Sequence, residues 1–156
     1  MKLSTKGKYG LRALIDLAQY SEEETVSINS ISQRQNISES YLEQLVAKMR
    51  KAGLVVSIRG AQGGYRLARP ASEISVGDVL RALEGNLEAV ECSALTDEGC
   101  QGADLCVTRY VWQKINESIA RTVDEMKLAQ LVEESRKAQQ KGISQSVDYS
   151  GSSCCR

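Results

Sequence analysis

The 156 residues include no histidine and no phenylalanine, one tryptophan and six tyrosines. Without imidazole the chain lacks the usual general base near neutral pH, the usual activator of a serine or cysteine nucleophile and the commonest metal ligand. A hydrolase of the Ser-His or Cys-His type is excluded. No nucleophile pair or phosphate-cradling loop points to another enzyme, so the chain is expected not to be one. With so few aromatics the core must be aliphatic, built from many Leu, Ile, Val and Ala contacts, which helices supply most easily. No run approaches the ~20 apolar residues needed to cross a bilayer. Lys2, Lys6 and Lys8 precede an apolar stretch, but Arg12 and Asp16 interrupt it and no small-residue cleavage site follows. A secretory signal is therefore not read here. The expectation is a cytoplasmic protein with no membrane contact, whose five cysteines serve metal or redox chemistry before disulfides.

Hydrophobic residues make up 42% and charged residues 26%, as in an ordinary globular chain, and the length suits one small domain with an extension. The formal net charge is zero, but it is unevenly distributed: residues 1–80 hold 11 Lys/Arg against 8 Asp/Glu, residues 81–156 hold 9 against 12. The window from Lys48 to Arg69 contains Lys48, Arg50, Lys51, Arg59, Arg66 and Arg69 with no acidic residue. Such a block is either a solvated face or a surface that neutralises phosphates.

Periodicity divides the chain into elements. Leu11, Leu14, Ile15 and Ala18 share one face of a helix from Thr5 to about Tyr20. A Glu22 to Glu24 loop follows, then a short helix capped by Ser27 and carrying Ile28 and Ile31. Gln35-Asn36-Ile37 reads as a tight turn, since Asn tolerates left-handed backbone. Ser38 caps a third helix to about Lys51, with Leu42, Leu45, Val46 and Met49 inward and Gly53 as its stop. The period then becomes two: Val56 and Ile58 lead into the five residues Gly60 to Gly64, and Tyr65 and Leu67 lead out, the pattern of a β-hairpin. Ser75-x-x-Asp78 spells a capping box for a helix ended by Gly85. After a weakly periodic stretch, Trp112, Ile115, Ile119 and Met126, with Val123 beside the seam, form a stripe too long for an 80-residue domain to bury alone. It is read as a homodimer interface, the alternative being a helix packed within its own subunit. From Ser135 the chain turns polar and is read as a disordered tail.

Three helices followed by a glycine-tipped hairpin define a winged helix-turn-helix: mostly α with a small β wing, plus a long dimerisation helix. The expected segments are 1–85 for DNA binding, 86–107 for a cysteine loop, 108–134 for the dimerisation helix and a short following helix, and 135–156 for the tail. The third helix is shaped to enter a major groove. Its residues off the apolar stripe include Ser38, Ser40, Tyr41, Glu43, Gln44 and Lys48. A carboxylate repels phosphates unless it accepts from cytosine N4, so Glu43 either selects a base or pairs with Lys48 or Arg50 within the helix. Arg59, before the wing glycines, suits a narrow minor groove.

Cys92, Cys100 and Cys106 form a second constellation. Their spacing is unlike a zinc knuckle, and Gly99 and Gly102 let the loop wrap something larger than one ion, such as an iron–sulfur cluster. Zinc and thiol chemistry remain alternatives.

Residues 1–9, MKLSTKGKY, the segment Ile37 to Leu45, Gly53-Leu54-Val55 and Arg59 to Tyr65 resemble the IscR-type winged-helix regulators. That bacterial repressor family also contains the nitric-oxide sensor NsrR and the cysteine regulator CymR. The resemblance spans residues 1 to about 132; to CymR it is expected over the first 80 only, with the cysteine triplet setting the chain among cluster-binding members. It implies a homodimer on double-stranded operator DNA, holding a cluster on Cys92, Cys100 and Cys106. The cluster would be [2Fe–2S], with [4Fe–4S] the other option, supplied by the assembly machinery whose genes the protein represses. One position departs. The family places His three residues after the last cysteine, where this chain has Arg109, a poor ligand. Glu91, Asp104, Cys154, Cys155, water or the partner subunit are the alternatives for the fourth position. Rival readings are a winged-helix sensor of nitric oxide, thiol redox state or zinc, and an iron–sulfur carrier without DNA binding.

Overall fold

The computed structural model describes residues 3–21, 24–90, 92, 100 and 105–144. Helix α1 (Thr5–Tyr20) begins where Ser4 accepts a hydrogen bond from Lys6 N, and buries Ala13, Leu14, Leu17 and Ala18. Leu11 and Ile15 pack half-buried at the edge of that face. Helix α2 (Ile28–Gln35) starts at the Ser27 cap and ends at Asn36, whose φ of 53° and ψ of 49° are the left-handed geometry a tight turn into the next helix demands. Helix α3 (Glu39–Lys51) is capped by Ser38 and buries Leu42, Leu45, Val46 and Met49.

Strands β1 (Val55–Ile58) and β2 (Gly64–Leu67) pair antiparallel, Val55 opposite Leu67 and Ile58 opposite Gly64. The loop is thus 59–63, and Gly64 belongs to the strand. A third segment joins the wing: Val26 N donates to Tyr65 O at 2.9 Å and Tyr65 N to Val26 O at 2.8 Å. Gly64 permits this approach, because a Cβ there would lie 2.8 Å from the Val26 carbonyl oxygen.

Helix α4 (Val76–Glu84) opens with the capping box anticipated from its sequence: Ser75 Oγ accepts from Asp78 N and Asp78 Oδ2 from Ser75 N, both at 3.0 Å. It lies against α1 at Gly10, where any Cβ would collide with Leu83. Helix α5 (Val107–Glu125) contains no buried residue. Helix α6 (Leu128–Ser144) returns to the domain through Leu128 and Val132, both in the main core. Its Ser135 hydroxyl donates to Gln19 Oε1 at 3.0 Å, and Gln19 Nε2 donates to Gln139 Oε1 at 2.7 Å.

Two boundaries change. The polar residues from Ser135 to Ser144 are helical rather than tail, held by these glutamine contacts to α1, and 145–156 lie outside the described residues. Met126 is not part of the long helix but its C-cap, and its carbonyl accepts from Val76 N at 2.9 Å.

The main core joins α1, α2, α3, β1, Ile74, α4, Leu128 and Val132, all aliphatic apart from Met49. A smaller cluster of Val76, Leu80 and Leu87 packs with Leu11 and Val123. Asp16 is the one charged residue buried among the described residues. It accepts from Arg34 Nη2 at 2.6 Å and Gln35 Nε2 at 2.8 Å, joining α1 to α2, while the Arg34 guanidinium stacks 4.1 Å from the Tyr20 ring centroid. No helix among the described residues is long and apolar enough to cross a membrane.

Candidate nucleic-acid interface and cysteine loop

On α3 the residues Ser40, Glu43, Gln44 and Lys48 are exposed. Ser40, Gln44 and Lys48 stand four apart and make one ridge, with Glu43 beside it. Ala47, which sequence reasoning passed over, is exposed one turn after Glu43 on the adjoining row and carries a methyl suited to a thymine contact. The Glu43 carboxylate pairs with neither Lys48 nor Arg50 among the described residues, because spacings of five and seven do not bring these side chains together as three or four would. It is left to face whatever the ridge meets.

Ser38 and Tyr41 are placed differently. Ser38 Oγ caps the helix, accepting from Tyr41 N at 3.4 Å. Tyr41 is half-buried, its ring edge-on to Tyr9 at 6.1 Å and its hydroxyl donating to Thr5 Oγ1 at 3.5 Å. Tyr41 therefore seats α3 on α1 and Ser38 serves the start of its own helix, which sequence spacing alone does not reveal.

Arg59 is exposed at the wing tip and forms no hydrogen bond or ion pair within the described residues. The loop beside it is tied down: Thr25 Oγ1 donates to Gln62 O at 2.6 Å. Arg50, Lys51 and Arg66 are exposed too, whereas Arg69 is spent on Asp78 at 3.4 Å and on the Glu73 carbonyl.

Of the three cysteines, Cys92 and Cys106 are half-buried and Cys100 is exposed, all free. Cys106 is the N-cap of α5, its Sγ hydrogen-bonded to Thr108 Oγ1 at 3.1 Å. Its thiol is held below the usual cysteine range, first by Thr108 Oγ1 and then by the Arg109 backbone N–H, with the Arg109 charge adding to it and desolvation opposing. Arg109 thus favours a thiolate electrostatically at the position where a histidine ligand was expected. Among the described residues no three Cys, Asp or Glu side chains converge to hold a metal, so the triplet is not gathered. Glu91, Asp104, Cys154 and Cys155 lie outside the described residues. The donor chemistry nevertheless fits a thiolate-held group: three thiols, one already drawn toward its ionised form.

The apolar residues of α5 divide between two faces. Val107, Val111 and Ile115 are exposed at four-residue spacing, with Tyr110 beside them. Val107 and Val111 were not singled out from sequence, though Val111 precedes Ile115 by one turn. Trp112 and Ile119 are half-buried at the border, and Val123 turns inward onto the Val76 and Leu80 cluster.

A solvent-facing ridge on the third helix, flanked by a hairpin carrying an unpaired arginine, defines a winged-helix DNA-binding regulator. The model of the Rrf2 family, described as iron-dependent transcriptional regulators, matches residues 3–134. The chain belongs to the Rrf2 family and is a transcriptional regulator, not an enzyme. It is 46% identical over 132 residues to the HTH-type transcriptional regulator IscR of Serratia proteamaculans, covering 85% of this chain and 79% of that one. The solved structure of T. potens IscR is similar with a TM-score of 0.70 and 47% identity, over 89% of this chain and 91% of that one. CymR, the global cysteine regulator of B. subtilis, is similar with a TM-score of 0.71 and 43% identity, over 85% of this chain and 97% of that one. The likeness to CymR therefore runs well past the first 80 residues, to which motif comparison had confined it.

Proposed function

We propose that the chain is a homodimeric, cytoplasmic repressor of iron–sulfur cluster assembly genes. In this reading Cys92, Cys100, Cys106 and one further donor hold a cluster, [2Fe–2S] by the family pattern, received from the assembly machinery. The observation that carries it is the position of Cys106: its thiol, hydrogen-bonded to Thr108, stands at the start of the same helix that presents Val107, Val111 and Ile115 outward. Ligand and dimer surface share one rigid element. When bound, the cluster supplies a thiolate-held, redox-labile anchor whose loss frees three cysteines.

The chain's own residues do the reading. Ser40, Gln44 and Lys48 present hydrogen-bond donors to base edges and phosphates, Glu43 accepts from cytosine N4, and Arg59 enters the adjacent minor groove. Pairing two subunits along α5 puts two such heads on one duplex, so the operator is a pseudo-palindrome with half-sites about 10 bp or a multiple apart. A thiol-redox sensor is the second reading, supported by the same Cys106 thiol, held below its usual range by Thr108, and by the extended likeness to CymR.

The test is an anaerobic absorption spectrum of freshly purified protein with iron and acid-labile sulfide counted, for wild type and Cys92→Ala. Bands between about 320 and 600 nm that the substitution abolishes support the cluster reading. A colourless protein that stays so after anaerobic reconstitution overturns it in favour of thiol chemistry.

A further inference from the structure

The chain leaves α4 through three successive anchors. Glu88 N donates to Asn86 Oδ1 at 3.0 Å, an Asx-type turn that starts the loop. Leu87 is buried against Val76 and Leu80. Then Asn116, near the middle of α5 and half-buried, grips the backbone at two adjacent residues: its Oδ1 accepts from Ala89 N at 2.9 Å and its Nδ2 donates to Val90 O at 3.3 Å.

Asparagine is a poor residue for a helix interior, because its side chain competes for backbone hydrogen bonds. Here both halves of its amide are committed to another segment. The pairing is chemically exacting: aspartate would keep the acceptor but set a carboxylate oxygen against the Val90 carbonyl, and alanine would supply neither group. Cys92 follows Val90 by two residues, a span of at most about 7 Å. Cys106 lies ten residues before Asn116 on α5, about 15 Å along the axis. Pinning residues 89 and 90 to α5 therefore limits how far Cys92 can move from the middle of the helix that begins at Cys106.

We infer that Asn116 is a positioning residue for the cysteine site, clamping the loop to α5 so that Cys92 and Cys106 are presented to one thiolate-binding group; this rests on the cluster reading above. It touches no ligand itself and acts through the backbone on either side of the Ala89–Val90 peptide.

The experiment compares wild type with Asn116→Ala and the near-isosteric Asn116→Asp, each checked by its melting curve and by operator binding of the metal-free form. In the reduced metal-free protein, brief iodoacetamide labelling followed by mass spectrometry gives the rate at Cys92 relative to Cys106 in the same chain. That ratio should rise severalfold in both variants. In reconstituted protein challenged with a chelator, visible absorbance should decay roughly tenfold faster than in wild type, the usual consequence of removing a group that orients a ligand. Unchanged labelling ratios together with wild-type decay overturn the role of Asn116. Failure of wild type itself to take up iron and sulfide overturns the cluster reading instead, and the labelling ratio then decides the clamp alone. Should Asn116→Ala fail to fold, the aspartate variant carries both measurements.

Discussion

The carboxylate of Glu84, the last residue of α4, closes the N-terminus of α1 by accepting from Ser4 N at 3.0 Å and Ser4 Oγ at 2.7 Å, with Gly7 N donating at 2.9 Å. Two orphan N–H groups of one helix are thus satisfied by a side chain 77 to 80 residues away. Burial pushes the Glu84 carboxyl upward, but the Ser4 hydroxyl, the Gly7 and Ser4 N–H groups and the Lys6 charge outweigh it and hold it below its ordinary value of 4.5. A carboxyl with a lowered folded pKa contributes stability that is complete above its unfolded value and is lost as the pH falls through the folded one. Glu84→Gln should cost about 1 kcal/mol at neutral pH. The gap between the two denaturation curves should close in acid, below about pH 4.5; a gap independent of pH would remove the charge from this account.

Arg34→Ala leaves the buried Asp16 carboxylate with Gln35 as its remaining side-chain donor. Removing the partner of this buried carboxylate costs about 1–3 kcal/mol, because the charge left behind is poorly solvated. Adding Asp16→Leu should recover much of that loss. Urea denaturation of both variants measures it, and a double variant no better than the single one would show that geometry rather than charge burial governs the site.

At the DNA surface two residues should fail differently. Arg59→Ala should weaken binding to all operators alike and lower the salt slope by about one, as loss of one phosphate-neutralising group does. Glu43→Ala should change the ranking of operators that differ at one base and leave the salt slope near wild type. Equal responses of the two variants across an operator panel would withdraw both assignments.

Substitution on α5 should separate association from folding. Val111→Glu and Ile115→Glu place charge on the outward face and should shift sedimentation from dimer toward monomer without lowering the melting temperature of the subunit. Val123→Ala should do the reverse, costing about 1–2 kcal/mol of stability through the Val76 and Leu80 cluster with little effect on association.

The order of elements was legible because most carry a local signature: Leu11, Leu14, Ile15 and Ala18 mark the first helix, Ser27, Ser38 and Ser75 cap later ones, Asn36 takes the left-handed turn, and period two marks the wing. What escaped reading depends on partners distant in the chain. Asp16 looked like an interruption of an apolar stretch, and only the fold brings Arg34 and Gln35 to it. Tyr41 reads as surface by its offset from the stripe, yet Tyr9 waits on α1 to receive it. Polarity after Ser135 suggested a tail because glutamine contacts leave no periodic trace. The cysteine triplet could be named from composition, but how its members approach one another depends on α5 and the loop together, which spacing does not encode.

The meeting of Gly10 with Leu83 brings α1 and α4 close together: a leucine methyl fills the space in which a side chain on α1 would have stood. With Glu84 latched onto Ser4 and Gly7 one turn away, the two helices behave as a keyed joint rather than a hinge.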